Sequence, residues 1–518
     1  MKKTGSRRRG WQAVMLLAVV MLAGCGNNQK QENSSGNPSP AASSSAAQQA
    51  NEKEAELKLI FPGDKPTAMD EVWGAVSDYV KQKGINVTFN IQYIPFNDYK
   101  DKLLVMSAAG DMWDLNFDGD WLAYQQMAGK GAYMALNELL PEYAPNLYKK
   151  YEGQGSLQAA SVNGQIVSLP WTMKQNTRPF GQWRSDVTDK LGIGAAKDSV
   201  QTIEAIDELL HRIKQADPTA KLTRKGPLEL FKLKHELMDI GFSGYVVDLN
   251  DPQLRAVPIE QTAAYRESAQ LAKTWYDDGI ISSDAMVDKE GIDVQWRNGK
   301  LVFDLSTHEW THADPGFSDP SFKRESSILY PDKKYANRSP LANVVAINKK
   351  SKNPDKVLRF LDLLETDKQL YDLVQYGIDG KTYKLDGQAA AFPDGMDSST
   401  SSYMGWTGQW ALWKPQFMRP TGTYSDGFWL KEGEFASQPM NVNSPLDGLF
   451  ISQEDIKNEV AKRESIKSEF GLPIEFGTVK NADKAVDDYT AKQQAAGVDK
   501  ITAEVQKQID QFLAGKKQ

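Results

Sequence analysis

Only one cysteine, Cys25, occurs among the 518 residues, so no disulfide within the chain can staple its fold. A chain of this length has to hold together by burying apolar surface, and it is long enough to do so. The cysteine's setting is equally informative. Lys2, Lys3, Arg7, Arg8 and Arg9 precede an apolar run from Ala13 to Leu22, and Leu22-Ala23-Gly24 stands directly before Cys25. A positive start, a short apolar segment and small residues at the cut make up a secretory signal. The run falls short of the roughly 20 apolar residues that a bilayer span needs. Leu-Ala-Gly-Cys also matches the bacterial lipobox, in which the cysteine thiol takes a diacylglycerol and becomes the new N-terminus. The expectation is a signal peptide over 1–24 and a lipid on Cys25. The chain would then sit on the extracytoplasmic face of a cell membrane, Gram-positive in type, touching the bilayer through that lipid alone.

Residues 26 to 54 are rich in Asn, Gln, Ser, Ala and Glu and carry nothing that could build a core, which reads as a disordered tether. The formal charge of −7 becomes about −12 once the five cations of the signal are set aside, which argues against a nucleic-acid partner. What remains suffices for two or three domain-sized bodies.

Order is predicted to begin at Leu57-Lys58-Leu59-Ile60-Phe61, a buried-strand pattern broken by Pro62-Gly63-Asp64. Met69, Val72, Trp73, Val76 and Val80 then recur at helical spacing. Val87, Phe89, Ile91 and Tyr93 alternate with polar residues as a half-buried strand does. A second helix, capped near Asn97, stops at Gly110, and Trp113 to Phe117 forms a short strand. Strand, helix, strand, helix, strand is the pattern of a mostly parallel sheet with crossover helices. Further along, helices are predicted over Thr202–Ile213, Tyr265–Tyr276, Pro354–Val374, Asp455–Phe470 and Ile501–Leu513. Strands are predicted at Val302–Leu305 and Val344–Ile347. Residues 380 to 445 are aromatic-rich with weak periodicity.

In this order, several segments resemble the family 1 extracellular solute-binding proteins, the receptors of bacterial carbohydrate ABC importers, in their LplA-like branch. They are Phe96-Asn-Asp-Tyr-Lys-Asp-Lys-Leu running into Ala109-Gly110-Asp111-Met-Trp-Asp114-Leu; Gly299-Lys300-Leu-Val-Phe ending in Trp310; and Ala346-Ile-Asn348 through Asn353-Pro354 to Thr366-Asp367. Tyr376-Gly377-Ile378-Asp379-Gly380-Lys381, Ser444-Pro445-Leu-Asp-Gly-Leu-Phe450 and Gly497-Val-Asp499-Lys500 fit the branch more narrowly. The resemblance implies an α/β, two-lobed, periplasmic-binding-protein-like fold with crossover strands and a helical C-terminal extension. It places 55–170 with 332–400 in one lobe, and 171–331 with 401–518 in the other, the branch-specific region starting near 441. It further implies a monomer without cofactor or catalytic residues, which captures an oligosaccharide by lobe closure and hands it to an ABC permease.

Sugars offer flat C–H faces and a rim of hydroxyls, so their clefts combine aromatic plates with planar donors and acceptors on loops after strands. The candidates are Asp64 and Lys65 after the first strand; Asp120 and Trp121 after the third; Trp171, Arg178 and Trp183 around the first crossover; Glu309 and Trp310; and Trp406 and Trp410 in the aperiodic stretch. Helix capping competes with binding for Asp64 and Asp120, and core packing competes for every tryptophan.

Other chemistries remain open in this sequence. His308-Glu309-Trp310-Thr311-His312 is a literal H-E-x-x-H, which on a helix would set two histidines on one face for Zn²⁺ with the glutamate activating water. A strand runs nearly into it and Asp314-Pro315-Gly316 ends it, so a zinc peptidase is the weaker reading. A glycoside hydrolase needs only two carboxylates across a cleft, and no pair is marked here. A glycan-binding surface lipoprotein without transport is a further alternative. The stretch from Asp217 to Glu229, where some relatives carry a calcium loop, lacks alternating oxygen ligands, and no structural calcium is expected there.

Overall fold

The computed structural model describes residues 53–307, 316–406, 408–422 and 424–516. The expected signal, the lipidation site at Cys25 and the His308–His312 motif with Glu309 and Trp310 lie outside them.

The chain enters on strand β1 (Ala55–Pro62), followed by helix α1 (Met69–Gln82), strand β2 (Val87–Ile94), helix α2 (Phe96–Ala109) and strand β3 (Leu115–Asp118). Each predicted apolar position of α1 is buried. Helix α2 starts behind Pro95 and ends where Gly110 turns left-handed at φ +80°, a conformation that glycine reaches without a Cβ clash. β1 pairs in parallel with β2 and β3. Strand Val344–Ile347 then joins β3, and Leu169–Pro170 joins that strand, both antiparallel, which gives a mixed five-stranded sheet. The pairing aligns Pro62 with Ile94, and Asp118 with Val344, which in turn faces Pro170. The carboxyl ends of β1, β2 and β3 therefore share one edge with both crossover segments. In an α/β sheet this is the edge where ligands bind.

The predicted helix over 354–374 is two helices, Pro354–Thr366 and Lys368–Tyr376. Asp367 breaks it by turning extended and accepting the Leu370 N–H. The sheet and its helices enclose the first core. Tyr403, Met404, Trp406, Ala411 and Leu412 belong to this core and not to the second lobe in which they were expected.

A second body follows the first crossover. Strand Pro179–Arg184 lies between Phe303–Thr307 and Arg324–Ile328, antiparallel to both. A smaller sheet orders Val257–Pro258, Tyr245–Asp248 and Leu237–Asp239. Helix Ile203–Ala216 is capped by Thr202, whose hydroxyl accepts the Ala205 N–H, and buries the predicted stripe Ile203, Ile206, Leu209, Leu210 and Ile213. The C-terminal helices Lys457–Ile466, Ala482–Ala495 and Val498–Lys516 supply Val460, Val486, Tyr489, Ile501, Val505 and Ile509 to cores shared with Met238, Tyr245, Val247 and Tyr265. The helical extension is thus part of the second body's interior.

Candidate ligand cleft

The turn after β3 carries two aspartates that divide the work. Asp118 is fully buried and accepts the N–H groups of Gly119 and Ala123 at 2.8 and 3.0 Å, along with the Tyr133 hydroxyl. Burial pushes its carboxyl up to about 6 against these hydrogen bonds. Because Asp118 organises the turn, Asp120 is released from capping and faces a cavity, its carboxyl raised by burial and pulled back by Arg338. Next to it Trp121 is 42% exposed, although its indole N–H is anchored on the Ala342 carbonyl at 2.7 Å. Its ring stacks on Phe96, the first residue of α2, at 5.8 Å and 23°, and lies 6.4 Å from Trp410. Trp410 in turn meets Phe117 edge-on at 4.1 Å. The result is an exposed aromatic plate, fixed from behind, beside a carboxylate. That is what a sugar face with its hydroxyl rim requires.

The cavity measures about 460 Å³. It is lined by Asp120, Trp121 and Gln125 of the first body, by Glu229, Lys232 and Asp239 of the second, by the crossover residues Tyr335 to Ser339, and by Ser444 and Leu446 to Leu449. Lys232 bridges Glu229 and Asp239 at 2.6 Å each, so these three charges satisfy one another. A neighbouring cavity of about 460 Å³ shares Thr177, Glu229 and Tyr335 and extends along Leu305 to Thr307 towards Glu475 and Phe476. Among the described residues, no group of three or more His, Cys, Asp or Glu side chains is placed to hold a metal ion.

Of the residues singled out from sequence, Asp120 and Trp121 line the cleft, and Trp410 braces the plate. Glu309 and Trp310 lie outside the described residues, and the remaining candidates sit away from the cleft. Arg178 is fully buried and spends all five N–H groups inside the protein, on the carbonyls of Leu329, Tyr330, Lys333 and Met440 and on the Asn441 side chain, at 2.6 to 3.2 Å. It is a clamp tying the first crossover to the second and to strand Asn441–Val442, which pairs with Tyr335–Ala336. Trp183 lies in the second core with no exposure, and Trp406 in the first, donating to the Val374 carbonyl. Trp171 packs with Trp413 and Trp429 in a separate aromatic cluster. Lys65 pairs with Asp70 at 2.6 Å, and neither it nor the exposed Asp64 lines the cleft. Gln125, Lys232, Arg338 and Asp447 were missed. Asp447 had a local signal in its Pro-Leu-Asp-Gly turn, whereas the others are brought in by tertiary structure.

Comparison with known proteins agrees with the two-bodied α/β fold. The profile described as bacterial extracellular solute-binding protein matches residues 62–371, and one described as a domain of unknown function (DUF3502) matches 445–514. A Streptococcus pneumoniae protein named carbohydrate ABC transporter substrate-binding protein is 25% identical over 470 residues, 89% of this chain and 91% of its own length. The crystal structure of the N-glycan transport solute binding protein NgtS, also from S. pneumoniae, superposes with a TM-score of 0.72 at 21% identity, covering 89% of this chain and 99% of that one. Its complex with Man1GlcNAc gives a TM-score of 0.62 at 21% identity, over 89% and 100%.

Proposed function

The chain belongs to the bacterial extracellular solute-binding protein family, and on that premise we propose that it captures an oligosaccharide by lobe closure and delivers it to an ABC permease. The observation that carries this reading is the Phe96–Trp121 stack beside Asp120, an exposed and immobilised plate at the edge of a cavity bounded by both bodies. A cleft between two separately cored bodies can close over a ligand and exclude water, which suits capture of a dilute solute. The names of the relatives, one a carbohydrate transporter's binding protein and one an N-glycan transporter's, support the same ligand class. Export and anchoring through a lipid on Cys25 complete the proposal, with the tether lifting the folded body off a Gram-positive membrane. Nothing in this reading calls for catalysis or a bound cofactor.

The test is a thermal-shift screen against neutral and acidic oligosaccharides, each with and without a chelator. Ligand that binds only the native state raises the melting point by mass action. A shift with one glycan class, indifferent to chelator and lost in Trp121→Ala, is the expected result. No shift with any glycan, together with destabilisation by chelator, would return attention to the His308–His312 motif and a metallopeptidase.

A further inference from the structure

Most polar groups around the cleft are already spoken for. Glu229, Lys232 and Asp239 form their own network, and the Ser339 and Ser444 hydroxyls accept the N–H groups of Leu341 and Leu446. Four side chains differ. Asp120 accepts only the N–H of the next residue, and Gln125, Arg338 and Asp447 have no hydrogen-bonding partner among the described residues. A half-buried carboxylate with no hydrogen bond from the protein keeps its oxygens free to accept from a ligand. Asp447 is such a group, and it lies in the matched segment that has no assigned function.

The loop that carries it is rigidly placed. The Asp447 N–H donates to the Ser444 carbonyl, Leu446 is buried in the second body, and Lys516 at the far end of the chain donates to the Pro445 carbonyl at 3.0 Å. On the other side Gly448, at φ +87°, passes so close to the first body that a Cβ would lie 3.0 Å from the Ala159 carbonyl oxygen. The loop therefore touches both bodies and holds Asp447 at the cavity that Asp120 also lines, near enough for the two charges to act on each other.

We infer that loop 444–449 is a wall of the binding site, and that Asp447 is a ligand-binding residue which, with Asp120, selects uncharged, hydroxyl-bearing sugars over acidic ones. This rests on the oligosaccharide reading above. A carboxylate accepts hydrogen bonds from sugar hydroxyls, and a carboxyl that keeps its proton can also donate to them, so the pair suits a hydroxyl in either state. Arg338 lies near Asp120 and Lys516 near Asp447, so each carboxylate already has its counter-charge. A uronate or sialic acid carboxylate would add a third anion, which would have to compete with Asp120 for Arg338 and with Asp447 for Lys516, leaving Lys174 of the smaller adjoining cavity as the further cation lining it. Burial, reinforced by the charge on Asp120, pushes the Asp447 carboxyl up to about 7. A ligand hydroxyl would relieve that desolvation.

The experiment measures binding of the wild-type protein, Asp447→Asn, Asp447→Ala and Trp121→Ala to an array of neutral glycans and of uronate- and sialate-containing glycans, alongside melting points without ligand. The wild type is expected to bind neutral glycans, with affinity falling at least tenfold in Asp447→Ala and less in Asp447→Asn. Both Asp447 variants should melt at or above the wild-type temperature, because the carboxylate has no hydrogen bond in the protein to lose and its burial outweighs its attraction to Lys516. Wild-type affinity in both Asp447 variants while Trp121→Ala loses binding would overturn the inference and leave the oligosaccharide reading intact. So would a preference for acidic glycans, or melting points lowered in the Asp447 variants. Binding of no glycan by the wild type would overturn both.

Discussion

Arg178 and Asp118 show how single buried charges shape the neighbourhood of the cleft without touching a ligand. Arg178 is held by carbonyl dipoles and one amide, with no carboxylate among its partners, and burial lowers it to about 10. Replacing it with Met leaves several buried carbonyls without donors, each costing on the order of 1–3 kcal/mol. Arg178→Met should lose about 3 kcal/mol or more in urea unfolding, and glycan affinity should fall only as far as the crossover segments loosen. Asp118 adds a pH dependence. Its folded value of about 6 stands above the ordinary 3.8, so the folded state holds its proton more tightly than the unfolded state. Stability from this group is complete below 3.8 and is lost as pH rises through 6, by about 3 kcal/mol. Asp118→Asn cannot titrate, so the wild type's stability relative to this variant should decline by about that amount between about pH 3.5 and pH 7. Equal slopes for the two proteins would contradict the assignment.

At the scale of elements, glycines decide how the C-terminal segment docks. Gly477 follows the short helix Leu472–Glu475 at φ +71°, and a Cβ there would lie 2.0 Å from the Ala272 carbonyl oxygen on helix Ala263–Asp277. A Cβ on Gly226 would lie 2.1 Å from the Glu475 carbonyl oxygen. Backbone atoms cannot yield as a side-chain tip can, so Gly477→Ala should cost about 3 kcal/mol in denaturant unfolding. Gly153→Ala, within helix Pro145–Gln154 and with nothing in reach, should be neutral or stabilising by up to about 1 kcal/mol. The same elements show what could be read beforehand. β1, α1 and the helix after Thr202 were legible because their apolar residues keep strict period and end at Gly, Pro or a capping hydroxyl. Helix Ala482–Ala495 was missed because it buries few apolar residues, chiefly Val486 and Tyr489, on an otherwise polar surface. At the site, Asp120 and Trp121 were legible from their place after a strand. Trp183 and Trp406 were misjudged, since a tryptophan in a strand or an aperiodic segment does not reveal which face it takes. For Asp447 the Pro-Leu-Asp-Gly turn was legible, but its place at the cleft follows from the pairing of Asn441–Val442 with Tyr335–Ala336 and the approach of Gly448 to Ala159, which that turn does not encode.

For the whole molecule, the decisive question is whether residues 445–514, matched as a domain in their own right, behave as one. Their apolar side chains share their cores with the chain that precedes them. Val460, Ile501, Val505 and Ile509 pack on Met238, Tyr245 and Val247, and Ile474, Val486 and Tyr489 pack on Tyr265 and Ala269. Across this boundary Arg463 forms a bidentate pair with Glu260 at 2.6 and 2.9 Å, both side chains essentially inaccessible to water. Separation would strand two charges in apolar surroundings, and breaking such a pair costs about 3–5 kcal/mol before any apolar area is exposed. Local opening free energies follow buried contact, so segments that share a core should open together. In native-state hydrogen exchange, the amides of helix Ala482–Ala495 should therefore show the same opening free energy as those of strand Tyr245–Asp248 and helix Ala263–Asp277. Glu260→Gln should lower all three in step. A chain ending at 444 should fail to protect the strand and helix of the second body, while β1 and β3 of the first body, whose core among the described residues draws nothing from beyond Phe417, keep theirs. Protection lost from the C-terminal helices alone, with Tyr245–Asp248 unchanged, would mark an independent domain. It would also detach loop 444–449, and Asp447 with it, from the wall of the cleft.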